Sequence, residues 1–197
     1  MHEGIIPMQY NSQLFLLVGN SGSGKDSLLE EVKARWPDSA RSLRIPRRYI
    51  TRPAHKSEPF ISVTVKEFEI LKQKGAFCLF WHVYDTHYGV PSTIIEWLQQ
   101  GDPVIVNVSR AIIPRARQMI TDLKVIFVSV PFETTLRRIK SRHRESANDP
   151  GFKQRLARAQ DNQTLAKADF VVDNSGSLEV AAEALLNYLL PFCQKLS

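Results

Sequence analysis

The chain has 197 residues, 43% apolar and 23% charged, a composition that excludes wholesale disorder, a coiled coil and a collagen-like chain. The length suits one compact domain with its own core. Lys and Arg number 26 against 20 Asp and Glu, so the net charge is +6 and the pI near 9.4, which leaves nucleic acid, an anionic membrane and a small polyanion open as partners.

The placement of the charge narrows that choice. No run of five or more Lys and Arg occurs and no basic amphipathic helix stands out, so nucleic-acid and membrane partners are not expected. A slightly basic solvated surface is the plain alternative to a polyanion site. The apolar runs, Leu14–Val18 among them, are far too short to span a bilayer, and the first ten residues lack a basic segment followed by a long apolar one. With only Cys78 and Cys193 available, the expectation is two buried thiols in a reducing cytoplasm rather than a disulfide framework.

Residues 1–13 show no period and include Pro7 and a second methionine, Met8; they read as a flexible lead-in. Leu14–Val18, closed by Gly19, reads as a buried strand of a parallel sheet. A helix is predicted from Lys25 to Trp36, with Leu28, Leu29, Val32 and Trp36 on one face and Pro37 as its stop. Residues 45–65 carry Pro46, Pro53 and Pro59 among Arg47, Arg48, Tyr49, Thr51 and Arg52, and read as short extended pieces and loops. They open an acceptor-binding insertion of about residues 45–90. Within it, Val65–Lys74 predicts a helix closed by Gly75, and Phe77–Trp81 a strand. Pro91–Gln99 predicts a short helix closed by Gly101.

Val104–Asn107 and Val125–Val130 read as buried strands on either side of a helix over Pro114–Ile120. A basic helix over Phe132–Arg144, a break at 145–151 and a second helix over Phe152–Ala168 follow. A strand over Phe170–Val172, a helix over Leu178–Leu190 and a tail at 191–197 complete the chain. Strands alternating with helices imply an α/β fold with a parallel core sheet.

Gly19-Asn20-Ser21-Gly22-Ser23-Gly24-Lys25 lies between a buried strand and a helix, the context that a phosphate-binding loop requires. The glycines let successive backbone N–H groups turn toward a polyphosphate such as that of ATP, the helix N-terminus adds positive potential, and Lys25 reaches the terminal phosphates. After Lys25 a Ser or Thr is usual, but here Asp26 stands before Ser27. Asp26 has two readings: a Mg²⁺ ligand, direct or through water, or an acid favoured by the helix dipole. The strand at Val104–Val106 ends in Asn107, without the usual metal-binding carboxylate, which sharpens the metal reading of Asp26 and Ser27.

Arg47, Arg48, Arg52, Tyr49 and Tyr88 would suit a phosphate-bearing acceptor. Arg137, Arg138, Arg142 and Arg144, with Arg155 and Arg158 across the break, read as a lid of about residues 138–155 that closes cations over a transferring phosphoryl group, or as a solvated basic helix face. No side chain stands out as a general base: His82, Asp85 and His87 are the nearest candidates. A phosphate acceptor, already ionised near pH 7, needs none.

In order along about residues 14–190, the phosphate loop, Thr51-Arg52-Pro53, Glu58, Tyr88-Gly89, the arginine-rich lid with Arg155-Leu156, and Asp173-Asn174 resemble the guanylate-kinase-like branch of the nucleoside monophosphate kinases. That resemblance implies a three-layer P-loop NTPase fold of the monophosphate kinase type, with Asn174 flanking an adenine. At the two positions where that family has acids for guanine recognition, this sequence has Phe80, just before Trp81, and Ser109. A finer resemblance is to the ribose 1,5-bisphosphate phosphokinases of bacterial phosphonate degradation. It rests on Gly24-Lys25-Asp26-Ser27, Arg48-Tyr49-Ile50-Thr51-Arg52-Pro53, Gly75-Ala76-Phe77 with Trp81, Tyr88-Gly89-Val90-Pro91, Asn107 with Ser109-Arg110, and Asp173-Asn174-Ser175-Gly176. It implies ATP and Mg²⁺ as cofactors and a phosphorylated sugar as substrate. Lys25, Arg138, Arg142 and Arg155 would act in catalysis; Arg48, Arg52, Tyr88, Ser109 and Arg110 would hold the acceptor. Guanylate kinase or another nucleoside monophosphate kinase, and a non-catalytic guanylate-kinase-like interaction module, are the alternatives.

Overall fold

The computed structural model of the chain describes residues 13–54, 59–83, 85–141 and 164–194. Its strands are β1 (Leu14–Gly19), β2 (Arg48–Ile50), β3 (Phe60–Ser62), β4 (Phe77–Val83), β5 (Thr86–Pro91), β6 (Val104–Asn107), β7 (Lys124–Ser129) and β8 (Phe170–Asp173). Its helices are α1 (Lys25–Ala34), α2 (Val65–Gln73), α3 (Thr93–Gln99), α4 (Ile113–Met119), α5 (Phe132–Ser141) and α6 (Leu178–Leu189). The chain divides into two compact units. One takes the described residues up to Leu16, Asp38–Leu123 and those from Phe192; the other takes Leu17–Pro37 and the described part of Lys124–Pro191.

The fold is α/β, and its parallel sheet has the strand order β6-β1-β7-β8. Leu14 to Val18 are all buried, the outcome expected of a short apolar run in a parallel sheet. In the second unit, β7 and β8 pair from Ile126↔Phe170 to Ser129↔Asp173. The Asp169 N–H donates to the Val125 carbonyl at 2.8 Å while the Asp169 carboxylate accepts from the Val125 N–H at 2.7 Å, which fixes the register at the mouth of that pair. Leu28, Leu29 and Val32 of α1 are buried, and α1 packs on α6, which buries Ala181, Ala182, Leu185 and Leu189. Each fully buried leucine contributes about 1.5–3 kcal/mol.

The first unit holds a mixed sheet in the order β3-β2-β5-β4. β2 runs parallel to β3 and antiparallel to β5, and β4 and β5 form a hairpin with Trp81 opposite Tyr88 and Phe80 opposite Gly89. α2 covers this sheet with Phe68, whose ring stacks on Phe77 at 4.7 Å. A capping box starts α2: Thr64 Oγ1 accepts from the Glu67 N–H at 3.2 Å, and Glu67 Oε2 accepts from the Thr64 N–H at 2.7 Å. Gly75 and Gly101 close α2 and α3 at φ of +72° and +79°, as their place in the sequence predicts.

Several boundaries depart from expectation. α1 ends at Ala34, because the last turn tightens through a Trp36 N–H to Lys33 carbonyl bond before Pro37. β5 falls in a part of the insertion where the sequence predicts no element, and Pro91 is expected to start a helix. Pro91 instead pairs with Phe77, while the Ser92 N–H and Oγ donate to the carbonyls of Ala76 and Gly75, so α3 starts at Thr93. Residues 164–168 are not helical: Lys167 has φ of +65°, and the chain turns there to enter β8. Cys193 is buried as expected, but Cys78 is only half-buried; both thiols are free. The lead-in before residue 13, the 145–151 break and the tail after 194 lie outside the described residues. Among the described residues no helix is long and apolar enough to cross a membrane.

Candidate active site

The second unit carries the phosphate loop. Gly19 closes β1, residues 20–24 turn, and the helix begins at Lys25 with Gly24 as its N-cap at φ +82°, ψ +19°. A glycine at that position contributes no side chain to the helix N-terminus, so the end of α1 is not capped by its own N-cap residue. A Cβ on Gly24 would lie 2.6 Å from Asn174 Nδ2, so glycine is required there by space as well as by φ. Gly22 is buried and also at positive φ, and Ser23 is buried; Asn20 is half-buried and Ser21 exposed.

Lys25 folds back over this loop. Its Nζ donates to the carbonyls of Gly19 at 2.8 Å and Asn20 at 2.9 Å, and to Ser23 Oγ at 3.4 Å. Asn174, on the segment leaving β8, is buried and donates from Nδ2 to the Ser23 carbonyl at 2.8 Å. That amide is therefore engaged with the loop itself. Arg138 of α5 also comes to the loop, with Nη1 3.6 Å from where a Gly24 Cβ would stand. Asp26 and Ser27 are exposed in the first turn of α1. This combination of turned glycines, an uncapped helix start and two cations fits a polyphosphate. Among the described residues no group of three or more His, Cys, Asp or Glu is placed to hold a metal ion. Arg142 and Arg155 lie outside the described residues.

The first unit contains the residues singled out for an acceptor. Tyr88 pairs with Ile50 and Trp81, so Arg48, Ile50, Tyr88 and Trp81 share one face of the mixed sheet. The Tyr88 ring lies flat on the Trp81 indole, centroids 5.2 Å apart and planes 2° apart. Thr51 is locked to β5 by two bonds: its N–H donates to the His87 carbonyl at 3.1 Å, and its Oγ1 accepts from the His87 N–H at 2.8 Å. This fixes the turn that bears Arg52, whose guanidinium sits over the Phe60 ring at 4.5 Å and donates to the Pro53 carbonyl. Ser109 Oγ accepts from the Ala111 N–H at 3.4 Å and caps a 3-10 turn, Arg110–Ile112. Burial pulls the Arg110 guanidinium below its ordinary pKa.

Phe80 pairs with Gly89 and so faces away from Tyr88, with Arg115 over its ring at 4.5 Å and Lys72 at 5.1 Å. The β4 residues that flank Trp81 on Tyr88's face are Leu79, opposite Val90 and fully buried, and Val83, opposite Thr86. No carboxylate therefore stands on β4 beside Tyr88. Spacing alone did not reveal the Trp81–Tyr88 stack or the Thr51 clamp, because both depend on the hairpin register.

The family model for guanylate kinase matches residues 11–190. A ribose 1,5-bisphosphate phosphokinase PhnN of Pseudomonas paraeruginosa is 41% identical over 90% of this chain and 95% of its own. The protein of the same name from Pectobacterium atrosepticum is 38% identical over 92% of this chain and 95% of its own. Among solved structures, a guanylate kinase from Anaplasma phagocytophilum superposes with a TM-score of 0.63 at 20% identity, covering 89% of this chain and 83% of that one, a likeness of fold. The chain belongs to the guanylate kinase family of P-loop kinases and, within it, groups with the PhnN ribose 1,5-bisphosphate phosphokinases.

Proposed function

We propose that the chain transfers the terminal phosphoryl group of ATP to the 1-phosphate of ribose 1,5-bisphosphate, giving 5-phosphoribosyl 1-diphosphate. The observation that carries this reading is the 41% identity to a ribose 1,5-bisphosphate phosphokinase across 90% of the chain. The residues of the phosphate loop and of the mixed sheet are consistent with it. Gly19 to Lys25 would hold the polyphosphate, Asn174 the loop and the adenine side, and Lys25 with Arg138, Arg142 and Arg155 would balance charge as the phosphoryl group moves. ATP would supply that group when bound, and Asp26 and Ser27 would hold a divalent cation, Mg²⁺ in this reading, whose charge would offset that of the polyphosphate.

Arg48, Arg52, Tyr88, Ser109 and Arg110 would orient the acceptor. Its 1-phosphate is an ionised nucleophile near pH 7, so positioning and charge suffice and no side chain has to remove a proton. The apolar Leu79 beside Tyr88 offers a guanine ring no carboxylate partner, which disfavours GMP. We assign the protein to the cytoplasm, residues 45–90 to acceptor binding and about 138–155 to the lid.

An ADP-release assay with ribose 1,5-bisphosphate, GMP, AMP and gluconate tests the reading. Turnover of the bisphosphate alone is expected. Turnover of GMP but not of the sugar would make the chain a nucleotide kinase, and no turnover with tight peptide binding would make it an interaction module.

A further inference from the structure

Trp81 is 8% exposed, and its Nε1–H is enclosed with no hydrogen-bond partner among the described residues. An indole nitrogen is a donor only, and leaving a buried donor unpaired is a cost that native chains seldom keep without a use for the group. The position of its ring is informative. Trp81 stands on the sheet face shared by Arg48 and Tyr88, its indole stacked parallel to the half-buried Tyr88 ring. Around it on that face, Leu79, Val90 and Ile50 are apolar and fully buried, and none offers a side-chain acceptor.

We infer that Trp81 is an acceptor-binding residue, whose Nε1–H donates to an oxygen of the bound sugar phosphate. The inference rests on the functional reading above and adds a residue to it. The nitrogen is enclosed in the acceptor-free chain, so binding through it requires the side chains that cover it to shift. Trp81 then has two tasks: the indole face orients Tyr88, and its edge reads a hydroxyl or ester oxygen of the ribose. A donor in an apolar setting discriminates strongly, because an acceptor without an oxygen at that point would leave the N–H unpaired in the complex as well.

The test separates the ring from its nitrogen. Trp81→Phe keeps an aromatic surface under Tyr88 without the donor, and replacement of Trp81 by 3-benzothienylalanine keeps the bicyclic shape with sulfur in place of N–H. Both variants are expected to raise KM for ribose 1,5-bisphosphate by about tenfold or more while kcat falls less, with the thermal midpoint of the benzothienyl variant at or above that of the unaltered chain. Adding the bisphosphate should also shift the tryptophan emission of the unaltered chain to the red, a shift absent from Trp81→Phe. A wild-type KM in the benzothienyl variant, as for a nitrogen paired to internal water or used only in packing, overturns the inference and leaves the functional reading intact. Absence of bisphosphate turnover in the unaltered chain overturns both. Should Trp81→Phe fail to fold, the benzothienyl variant decides alone.

Discussion

Asn174 and Ser23, 151 residues apart, meet through a 2.8 Å hydrogen bond from the Asn174 amide to the Ser23 carbonyl, and both are buried. The segment after β8 thereby holds the phosphate loop in shape from outside the loop. Asn174→Ala removes the donor and leaves the carbonyl without it, so a loss of about 1–3 kcal/mol in urea unfolding is expected. KM for ATP should rise several-fold in the same variant. An unchanged unfolding midpoint would mean that the loop holds its shape without this bond.

Gly24→Ala probes the same contact from the other side. Its Cβ would stand 2.6 Å from Asn174 Nδ2 at a φ of +82°, so both a clash and backbone strain follow. In the Asn174→Ala background the clash is gone and only the strain remains. Gly24→Ala should therefore cost less stability there than in the unaltered chain, a coupling that a double-mutant cycle measures. Equal costs in the two backgrounds would contradict the contact.

In the other unit Gly89 lies under the Phe77 ring, where an added Cβ would come within 2.7–2.9 Å of three ring carbons. Phe77 cannot yield easily, since Phe68 stacks on it at 4.7 Å and Tyr49 tilts against it at 5.3 Å. Gly89→Ala should lower stability by about 1–3 kcal/mol, as overpacking of a filled site does. Calorimetry should also show that Phe77→Leu offsets part of that loss. The two changes would simply add if the ring had room to move.

This glycine also explains what the sequence hid. Thr86–Pro91 contains Gly and Pro, residues that argue against a strand in isolation, yet Gly89 is there because a ring crosses it and Pro91 because it ends the ladder. By contrast, Leu14–Val18 and its loop were legible at once, since a buried parallel strand needs an unbroken apolar run and the loop needs its glycines at fixed offsets. Lys72 and Lys74 before Gly75 announced the end of α2 equally plainly. Facing was not legible: Phe80, named from the resemblance for a base-facing position, looks away from Tyr88, because a single step along a strand reverses the side chain. The Trp81–Tyr88 stack and the Asn174–Ser23 bond depend on which strands meet, and no local spacing records that.

Asp26 lies exposed in the first turn of α1, where two effects would keep an acid. If it helps to hold the divalent cation, Asp26→Asn should raise several-fold the Mg²⁺ concentration for half-maximal activity while the fold stands. If it only complements the helix dipole, the variant should lose about 0.3–1 kcal/mol of stability with an unchanged Mg²⁺ dependence. Activity titrated against Mg²⁺ at saturating ATP separates the two.

The two thiols set an alkaline limit on the fold. Burial pushes Cys78 and Cys193 up to about 12 from an ordinary value near 9. Cys78 Sγ also lies 3.6 Å from the Val90 and Pro91 carbonyls, contacts that a protonated thiol can make and a thiolate cannot. The folded chain holds both protons between about pH 9 and 12, whereas the unfolded chain releases them. The stability tied to the neutral thiols is therefore complete below pH 9 and is lost as the pH climbs toward 12, by at most a factor of about ten in the folding equilibrium per thiol and pH unit. Urea midpoints of the unaltered chain should fall more steeply between pH 9 and 10.5 than those of Cys193→Ala. A thiol reagent at pH 8 should likewise label the native chain slowly and the urea-unfolded chain at once. Rapid native labelling, or parallel pH slopes for the two proteins, would show that the thiols ionise in the fold as they do in water.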